Sequence, residues 1–332
     1  MKAPGKHYRE GLSLMDLFQQ FPDDETAEAW FVRERWPNGI TCPRCGCERV
    51  QEVAAHPTMP YRCRGKGCRK RFSPRTGTAL EGSNVGFQKW VIAIYLVATS
   101  LKGVSSMKLH RDLQVSQKTA WFMAHRLRTA WERPGGVFAG PVEADETYIG
   151  GKERNKHRRD RLNPGGGTGG KSTVAGVKDR PTKRVRAAVV KRSDRATLTG
   201  FVKDHTSRDA AVYTDDSPVY QRLPRKHESV KHSVGEFVRG QAHTNGMESF
   251  WSMLKRGFVG TYHKLSPEHL ARYVAEFEGR HNDRPRNTID QMASMVRDLD
   301  GKRLRYADLI DHKGGHLALA SIEHTGQMAL EF

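Results

Sequence analysis

Two kinds of metal-ligating side chain fall in this sequence at spacings that chemistry could use. All five cysteines lie between Cys42 and Cys68. Cys42-Pro43-Arg44-Cys45 and Cys63-Arg64-Gly65-Lys66-Gly67-Cys68 form two knuckles separated by 63 − 45 = 18 positions. A knuckle turns two thiolates toward one ion, and tetrahedral zinc takes four, so a structural Zn²⁺ on Cys42, Cys45, Cys63 and Cys68 is expected, with Cys47 as a competitor. The neighbouring Arg, Lys and Gly do not suit buried reduced thiols, and the cluster is too compact to be a disulfide framework for 332 residues. Four protein ligands leave no open position for a reaction, so the ion would hold a fold together.

The second group is acidic. In Val142-Glu143-Ala144-Asp145-Glu146-Thr147, strand alternation puts Glu143 and Asp145 on one face and Glu146 on the other. Ala210-Ala211-Val212-Tyr213-Thr214 leads into Asp215 and Asp216, either of which could act. From His243 to Arg256, positions 245, 248, 252 and 255 share one helical stripe. Asn245, Glu248 and Lys255 thus form a polar line, while Met247, Phe250, Trp251, Leu254 and Phe258 can face a core. A lone acid at a strand end is ordinarily just solvated, but two strand-end aspartates and a helical glutamate are what two-metal phosphoryl transfer requires. Hard carboxylate oxygens would hold two Mg²⁺ or Mn²⁺ ions about 3.5–4 Å apart, one at the attacking and one at the leaving oxygen. Lys255, two turns along, would position a phosphate. Glu248 and Asn245 compete as third ligand: the carboxylate brings a full charge to a hard cation, whereas Asn245 sits where it could cap the helix.

Strands are expected over Val137 to Ile149, Val185 to Val190 and Ala210 to Asp215, and helices over Asn245 to Arg256 and Pro267 to about His281. The basic Gly-rich stretch 150–171 lacks apolar periodicity and reads as a mobile loop. Gly165 to Ser172 matches a phosphate-loop pattern literally, but no clear strand precedes it. Residues 11 to 36 suit two short helices around Pro22, with Asp24 as a cap. Val104 to Leu113, the turn Gln114-Val115-Ser116, and Gln117 to Trp131 read as a helix-turn-helix, with Leu109, Leu113, Val115, Ala120 and Met123 packing its corner. Gln117, Lys118 and His125 or Arg126 would remain for DNA. The order is an N-terminal helical segment (1–36), a zinc ribbon (37–83), a helix-turn-helix region (84–133), a catalytic domain (134–284) and a tail (285–332) without a readable pattern.

Lys and Arg exceed Asp and Glu by 56 − 37 = 19, spread from Arg62 to Arg305, which points to a polyanionic partner. Arg62, Arg64, Lys66, Arg69, Lys70 and Arg71 would carry part of that charge to DNA. The longest apolar stretch, Val91 to Ala98, is far short of the roughly 20 residues that span a bilayer, and the charged N-terminus lacks a signal peptide's apolar core. A cytoplasmic, nucleoid-associated protein without a membrane partner is expected.

The separations 248 − 215 = 33 and 255 − 248 = 7 resemble the DDE pattern of transposases and integrases, with a basic residue seven positions after the Glu. Val142 to Gly151, Tyr213 to Tyr220 and His243 to Arg284 resemble, more closely, insertion-sequence transposases in which a zinc ribbon and helix-turn-helix precede the catalytic core. That resemblance implies a multi-domain α+β and α/β protein with an RNase-H-like mixed sheet flanked by helices. It also implies binding of element ends and target as double-stranded DNA, a homo-oligomer on that DNA, and strand cleavage and strand transfer. Carried over by position, it assigns Asp145, Asp215 and Glu248, with Asn245 and Lys255 as additional motif residues. Two other readings are a DNA-binding regulator with structural acids and a metal-dependent nuclease without strand transfer. The regulator leaves the polar stripe on α-helical positions 245, 248 and 255 unexplained.

Overall fold

The computed structural model of the chain describes residues 9–53, 56, 58–133, 135–151, 155–162, 167–221, 223–230 and 243–311. The front end contains α1 (Leu14–Gln20), α2 (Asp24–Arg35), the antiparallel strands β1 (Val50–Glu52), β2 (Tyr61–Cys63) and β3 (Arg71–Phe72), and then α3 (Phe87–Thr99), α4 (Ser106–Leu113) and α5 (Gln117–Arg128). Short hydroxyl or carboxylate side chains start most of these helices. Ser13, Asp23, Ser105 and Ser116 each accept a backbone N–H three residues on, which satisfies one otherwise orphaned donor. Asp23, not Asp24, therefore caps α2. Asp24 reaches across to α3, where it accepts the Gln88 N–H at 2.9 Å. Gly86, the residue before α3, has no room for a side chain, because a Cβ there would lie 2.3 Å from the Asp24 carboxylate.

Leu17, Phe31, Trp90, Ile94, Leu109 and Met123 bury together, and the far end of the chain completes their core. The region after Pro285, which shows no pattern in the sequence reading, contains α9 (Thr288–Asp298) and α10 (Tyr306–Ile310). Met292, Met295, Val296 and Leu299 of this return segment are buried in the front-end core. The buried guanidinium of Arg35 fastens the arrangement by donating to the carbonyls of Pro74 (2.6 Å) and Thr76 (2.7 Å) and to Asp300 (2.6 Å).

The second body is a five-stranded sheet in the order β6-β5-β4-β7-β8. Its strands are β4 (Val142–Ile149), β5 (Ser172–Asp179), β6 (Val185–Val190), β7 (Ala211–Asp215) and β8 (Lys226–Val230). β5 is antiparallel to β4 and β6, and β7 is parallel to both β4 and β8, so the sheet is mixed. Side chains alternate across it. Val142, Ala144, Val177 and Val212 pack with Leu198 and Val202 of α6 (Arg195–His205), while Val174, Val185 and Ala187 pack under α7 (Asn245–Gly257) and α8 (Pro267–Asp283). Strands β5 and β8 were absent from the sequence reading. β5 follows the glycine tract directly, and its Ser172 opens a strand where a phosphate loop would open a helix. Residues 152–154 and 163–166 of the expected mobile loop lie outside the described residues, as do 312–332 of the expected tail.

The two bodies meet along α5 and α8. Arg128 forms a buried ion pair with Glu276 at 2.6 Å, and its guanidinium lies 4.0 Å from the centre of the Tyr273 ring. Glu276 also accepts from Tyr262 (2.8 Å) and from Arg280. The Trp131 indole donates to Asp283 at 3.1 Å beside Gly279, where a Cβ would fall 2.0 Å from the ring. No helix among the described residues is long and apolar enough to cross a membrane.

Candidate active site

Parallel pairing matches Val142 with Val212 and Glu143 with Tyr213, and continuing that register places Asp215 beside Asp145. The α7 helix lies across the same face, where Glu143 and Asp145 both engage it. Glu143 is buried and accepts the Met247 N–H at 3.0 Å, so its carboxylate caps the first turn of α7 from the sheet. Its other oxygen accepts from Arg180 at 3.0 Å and lies 3.3 Å from His243. Lys178 and Arg180 donate to the Gly246 and His243 carbonyls at 3.0 and 2.7 Å. One helical turn on, the Trp251 indole donates to Asp145 at 3.0 Å, while the Glu146 N–H holds the other Asp145 oxygen at 2.9 Å.

Two glycines permit this approach. A Cβ on Gly246 would come 2.6 Å from the Glu143 carboxylate, and one on Gly176 of β5 would come 2.4 Å from Met247 and 2.7 Å from the Trp251 ring. Glu143, Gly176, Lys178, Arg180 and Gly246 were not singled out from sequence for this role. The sequence shows a carboxylate two positions before Asp145 but gives no sign that it caps a helix a hundred residues later.

A cleft of about 570 Å³ opens here, lined by Asp145, Glu146 and Thr147 on the strand side and by Glu248, Trp251, Ser252 and Lys255 on the helix side. Glu248 accepts from the Thr244 hydroxyl at 3.2 Å. Asn245 and Lys255 are exposed on the same helix. Asp215 lies within β7 and Asp216 is exposed beyond its end. Glu146, on the opposite face of β4, accepts a 2.6 Å hydrogen bond from the buried Tyr220 hydroxyl. Burial foremost, then the charges of Asp215 and Glu146, pushes the Asp145 carboxyl up to about 7. The acids therefore repel one another, and a hard cation would relieve that repulsion; carboxylate oxygens suit Mg²⁺ or Mn²⁺ in kind, but no three of these carboxylates converge on one point among the described residues.

In the front end, the Cys42–Cys68 and Cys45–Cys63 sulfurs lie 3.8 and 3.6 Å apart, and all four fall within 4.8 Å of one another. Zn–S bonds of about 2.3 Å at tetrahedral angles imply sulfur separations near 3.8 Å. The residues fit structural zinc. Cys47 is not in the group, and its thiol faces the Arg49 carbonyl. Among the described residues no other set of three or more Cys, His, Asp or Glu side chains converges this way. Arg64, Lys66, Arg69, Lys70 and Arg71 are exposed around the ribbon.

Helices α4 and α5 are joined through Gln114, which adopts a left-handed conformation at φ 50°. Leu109, Leu113, Ala120 and Met123 bury the corner as expected, and Gln117 and Lys118 are exposed. His125 and Arg126 do not remain for DNA, because both are buried. His125 packs against Trp121, His269 and Tyr273, and burial, then Arg128 and His269, hold its pKa well below the ordinary imidazole value. Arg126 donates to the Glu81 carbonyl at 2.9 Å. Helix α8 covers His125, and Arg126 is held by the Glu81 carbonyl and the Phe122 ring; a local sequence pattern cannot show the contacts with residues 81, 269 and 273.

Residues 137–282 match the ISXO2-like transposase domain, and residues 22–71 match the transposase zinc-ribbon domain. A Halobacterium salinarum protein described as an uncharacterized protein in transposable element ISH50 is 30% identical over 276 residues, covering 78% of this chain and 91% of that relative. Among solved structures, the simian T-cell lymphotropic virus intasome in complex with PP2A regulatory subunit B56 gamma matches at 15% identity and a TM-score of 0.27. That likeness covers 57% of this chain and 65% of that chain and is too slight to bear on fold or function. With the ribbon ahead of the mixed-sheet domain and near end-to-end coverage of a protein from a mobile element, the chain belongs to the insertion-sequence transposases that carry a transposase zinc ribbon and an ISXO2-like transposase domain.

Proposed function

We infer that this transposase works by DDE chemistry on an RNase-H-like core: it binds the ends of its element as double-stranded DNA, cuts a strand there, and joins the freed 3′ end to target DNA. Asp145, Asp215 and Glu248 are assigned as ligands of two Mg²⁺ or Mn²⁺ ions, with Asn245 and Lys255 as helix partners that meet a ligand water or the DNA phosphate. The observation that carries this reading is the register that sets Asp145 beside Asp215, with Glu248 across one cleft on a helix tied to the same strand. Asp215 is preferred to Asp216 because it sits inside β7 and its charge reaches Asp145. The mixed sheet with helices on both faces supports the core assignment.

When bound, the cations would lower the pKa of an attacking hydroxyl and stabilise the leaving oxygen. The protein's part is positioning. Trp251 and the Glu146 amide fix both oxygens of Asp145, and Glu143 fixes the start of the helix that brings Glu248 and Lys255 to the cleft. Lys255 supplies positive charge to the phosphate without sharing a carboxylate's place. The ribbon's exposed basic rim and the α4–α5 pair, read as a helix-turn-helix, bring the duplex, and two ends call for more than one protomer.

Incubation with element-end duplex, a target plasmid and Mg²⁺ tests the reading. Joined products are expected. Nicks without joining would make the protein a nuclease, and binding without nicks would make it a regulator.

A further inference from the structure

Asp145 and Asp215 are brought side by side by strands whose pairing stops short of them. β4 and β7 pair at Val142 with Val212 and at Glu143 with Tyr213, two residues before the aspartates. Neighbouring strands twist relative to one another, so past the last paired residue the backbone no longer fixes their separation. On the α7 face, the Trp251 indole holds Asp145. A second tie lies on the opposite face of the sheet.

There the Tyr220 hydroxyl donates to Glu146 at 2.6 Å. Glu146 follows Asp145 directly, and Tyr220 follows Asp215 by 220 − 215 = 5 positions, so the bond joins the segments that leave the two aspartates. Both ends of it are anchored. Tyr220 is 1% exposed, in the core with Val142, Ala144, Leu198 and Val202. It ends a single helical turn, Pro218–Tyr220, whose Pro218 carbonyl accepts from Arg195 of α6 at 3.0 Å. The Tyr220 N–H donates to the Ser217 carbonyl at 3.1 Å, and the Ser217 N–H donates to Asp215 at 3.2 Å. At the other end, the Glu146 N–H donates to Asp145 at 2.9 Å. Hydrogen bonds therefore run from one aspartate carboxylate to the other through Glu146, Tyr220 and Ser217. Burial, then the Glu146 charge, raises the Tyr220 hydroxyl well above the ordinary phenol pKa, so it keeps its proton and stays a donor.

We propose that Tyr220 is a positioning residue of the transposition reaction: through Glu146, its hydroxyl sets the separation of the Asp145 and Asp215 carboxylates that receive the metal ions. The proposal deepens the proposed function, because it rests on those two aspartates being metal ligands. Glu146 lines the same cleft, but its part here is to accept from Tyr220 and not to touch an ion. Residues that hold metal ligands from behind typically change metal affinity about 10–100-fold, and a tie that acts through a neighbouring residue belongs at the low end.

The test is the Mn²⁺ affinity of the zinc-loaded full-length protein without DNA, followed by electron paramagnetic resonance, with strand cleavage, duplex affinity and melting temperature measured alongside. The proteins are wild type, Tyr220→Phe, Glu146→Gln, Glu146→Ala and the Tyr220→Phe, Glu146→Ala double variant. Tyr220→Phe keeps the buried ring and removes only the donor. It is expected to weaken Mn²⁺ binding about tenfold and to raise the Mn²⁺ needed for half-maximal cleavage by the same factor, with duplex affinity unchanged. Glu146→Gln and Glu146→Ala both lose the charge, but only the amide still accepts from Tyr220, so Glu146→Gln should bind Mn²⁺ more tightly than Glu146→Ala. Once Glu146 is alanine, adding Tyr220→Phe should weaken Mn²⁺ no further. Wild-type Mn²⁺ affinity in Tyr220→Phe would overturn the proposal, whatever the melting temperature, and leave the hydroxyl a structural bond. Equal losses in Glu146→Gln and Glu146→Ala beside an unaffected Tyr220→Phe would overturn it too, and make Glu146 a ligand itself. If Asp145→Asn and Asp215→Asn bind Mn²⁺ as wild type does, the proposed function fails and this assignment falls with it.

Discussion

Cys42, Cys45, Cys63 and Cys68 span 68 − 42 = 26 positions, and their sulfurs stand at tetrahedral separations within a single three-stranded unit. Asp145, Asp215 and Glu248 span 248 − 145 = 103 positions and come from two strands and a helix that other residues must hold in place. The thiols converge on one point, whereas Asp145 and Glu248 line an open cleft and Asp145 is repelled by the neighbouring charge of Asp215. A site that only holds a fold can be closed and local. A site that must admit DNA stays open, and its geometry is delegated to Glu143, Trp251, Gly176 and Gly246, none of which is itself a proposed metal ligand.

The sharpest way to separate the two sites is to remove zinc. Structural zinc contributes on the order of 10–16 kcal/mol to small metal-dependent folds, and the ribbon's own core is little more than Trp36, Phe72 and the cysteines. Metal analysis should find about one zinc per chain. Cys42→Ser should lose it and unprotect β1–β3 in hydrogen exchange while β4–β8 stay protected. Retained zinc in that variant would contradict the ligand assignment.

Asp145→Asn should do the reverse. Metal stabilisation of the reacting oxygens is worth several kcal/mol, so strand cleavage should fall roughly a thousandfold or more with zinc content and DNA affinity unchanged. A parallel loss of DNA affinity would show that the two sites are not independent. Gly176→Ala tests the delegated geometry, because the added methyl must displace Met247 and the Trp251 ring. Overpacking of this kind costs about 1–3 kcal/mol, to be read as a lower melting temperature of the sheet body with an intact ribbon.

The smallest effect is in pH. Asp145 titrates near 7 in the folded protein, above the ordinary carboxylate value of about 4. Between those values the unfolded chain has released a proton that the folded chain keeps, so stability falls as pH rises through that window and levels off above 7. Mn²⁺ affinity, followed by electron paramagnetic resonance, should rise by up to about tenfold per unit as pH approaches 7 and then flatten. A flat profile from pH 5 to 8 would remove repulsion among the acids as a feature of the empty site.

The same contrast explains what could be read in the sequence. The zinc ligands are legible because their spacing is local, and the helical stripe 245, 248, 255 because helical period is local. Strands β4, β6 and β7 were found within a few residues, since apolar runs mark them. Strand β8, Lys226–Val230, alternates lysine, histidine, glutamate and serine, so nothing apolar announces it before its last residue. The tail from residue 285, which shows no pattern in the sequence reading, in fact spaces Ile289, Met292, Ala293, Met295 and Val296 at helical period after Asn287, a signal that was missed, and its destination in the front-end core is a long-range fact. His125 and Arg126 were misplaced for the same reason: the helix that buries His125 lies more than a hundred residues downstream, and the carbonyl that holds Arg126 lies 45 residues upstream.

That return of α9 sets a schedule for synthesis. Trp131 and Met292 share one core, yet 292 − 131 = 161 residues separate them. At about 5–20 residues per second the ribosome needs roughly 8–32 s to cross that distance, and through it the front end waits with the α9 side of Trp90 and Ile94 uncovered. A chain stopped before residue 288 would own every cysteine and every proposed metal-binding carboxylate, but not the helix that closes its first core. Closure of the front-end core therefore waits for a helix translated long after the rest of that core.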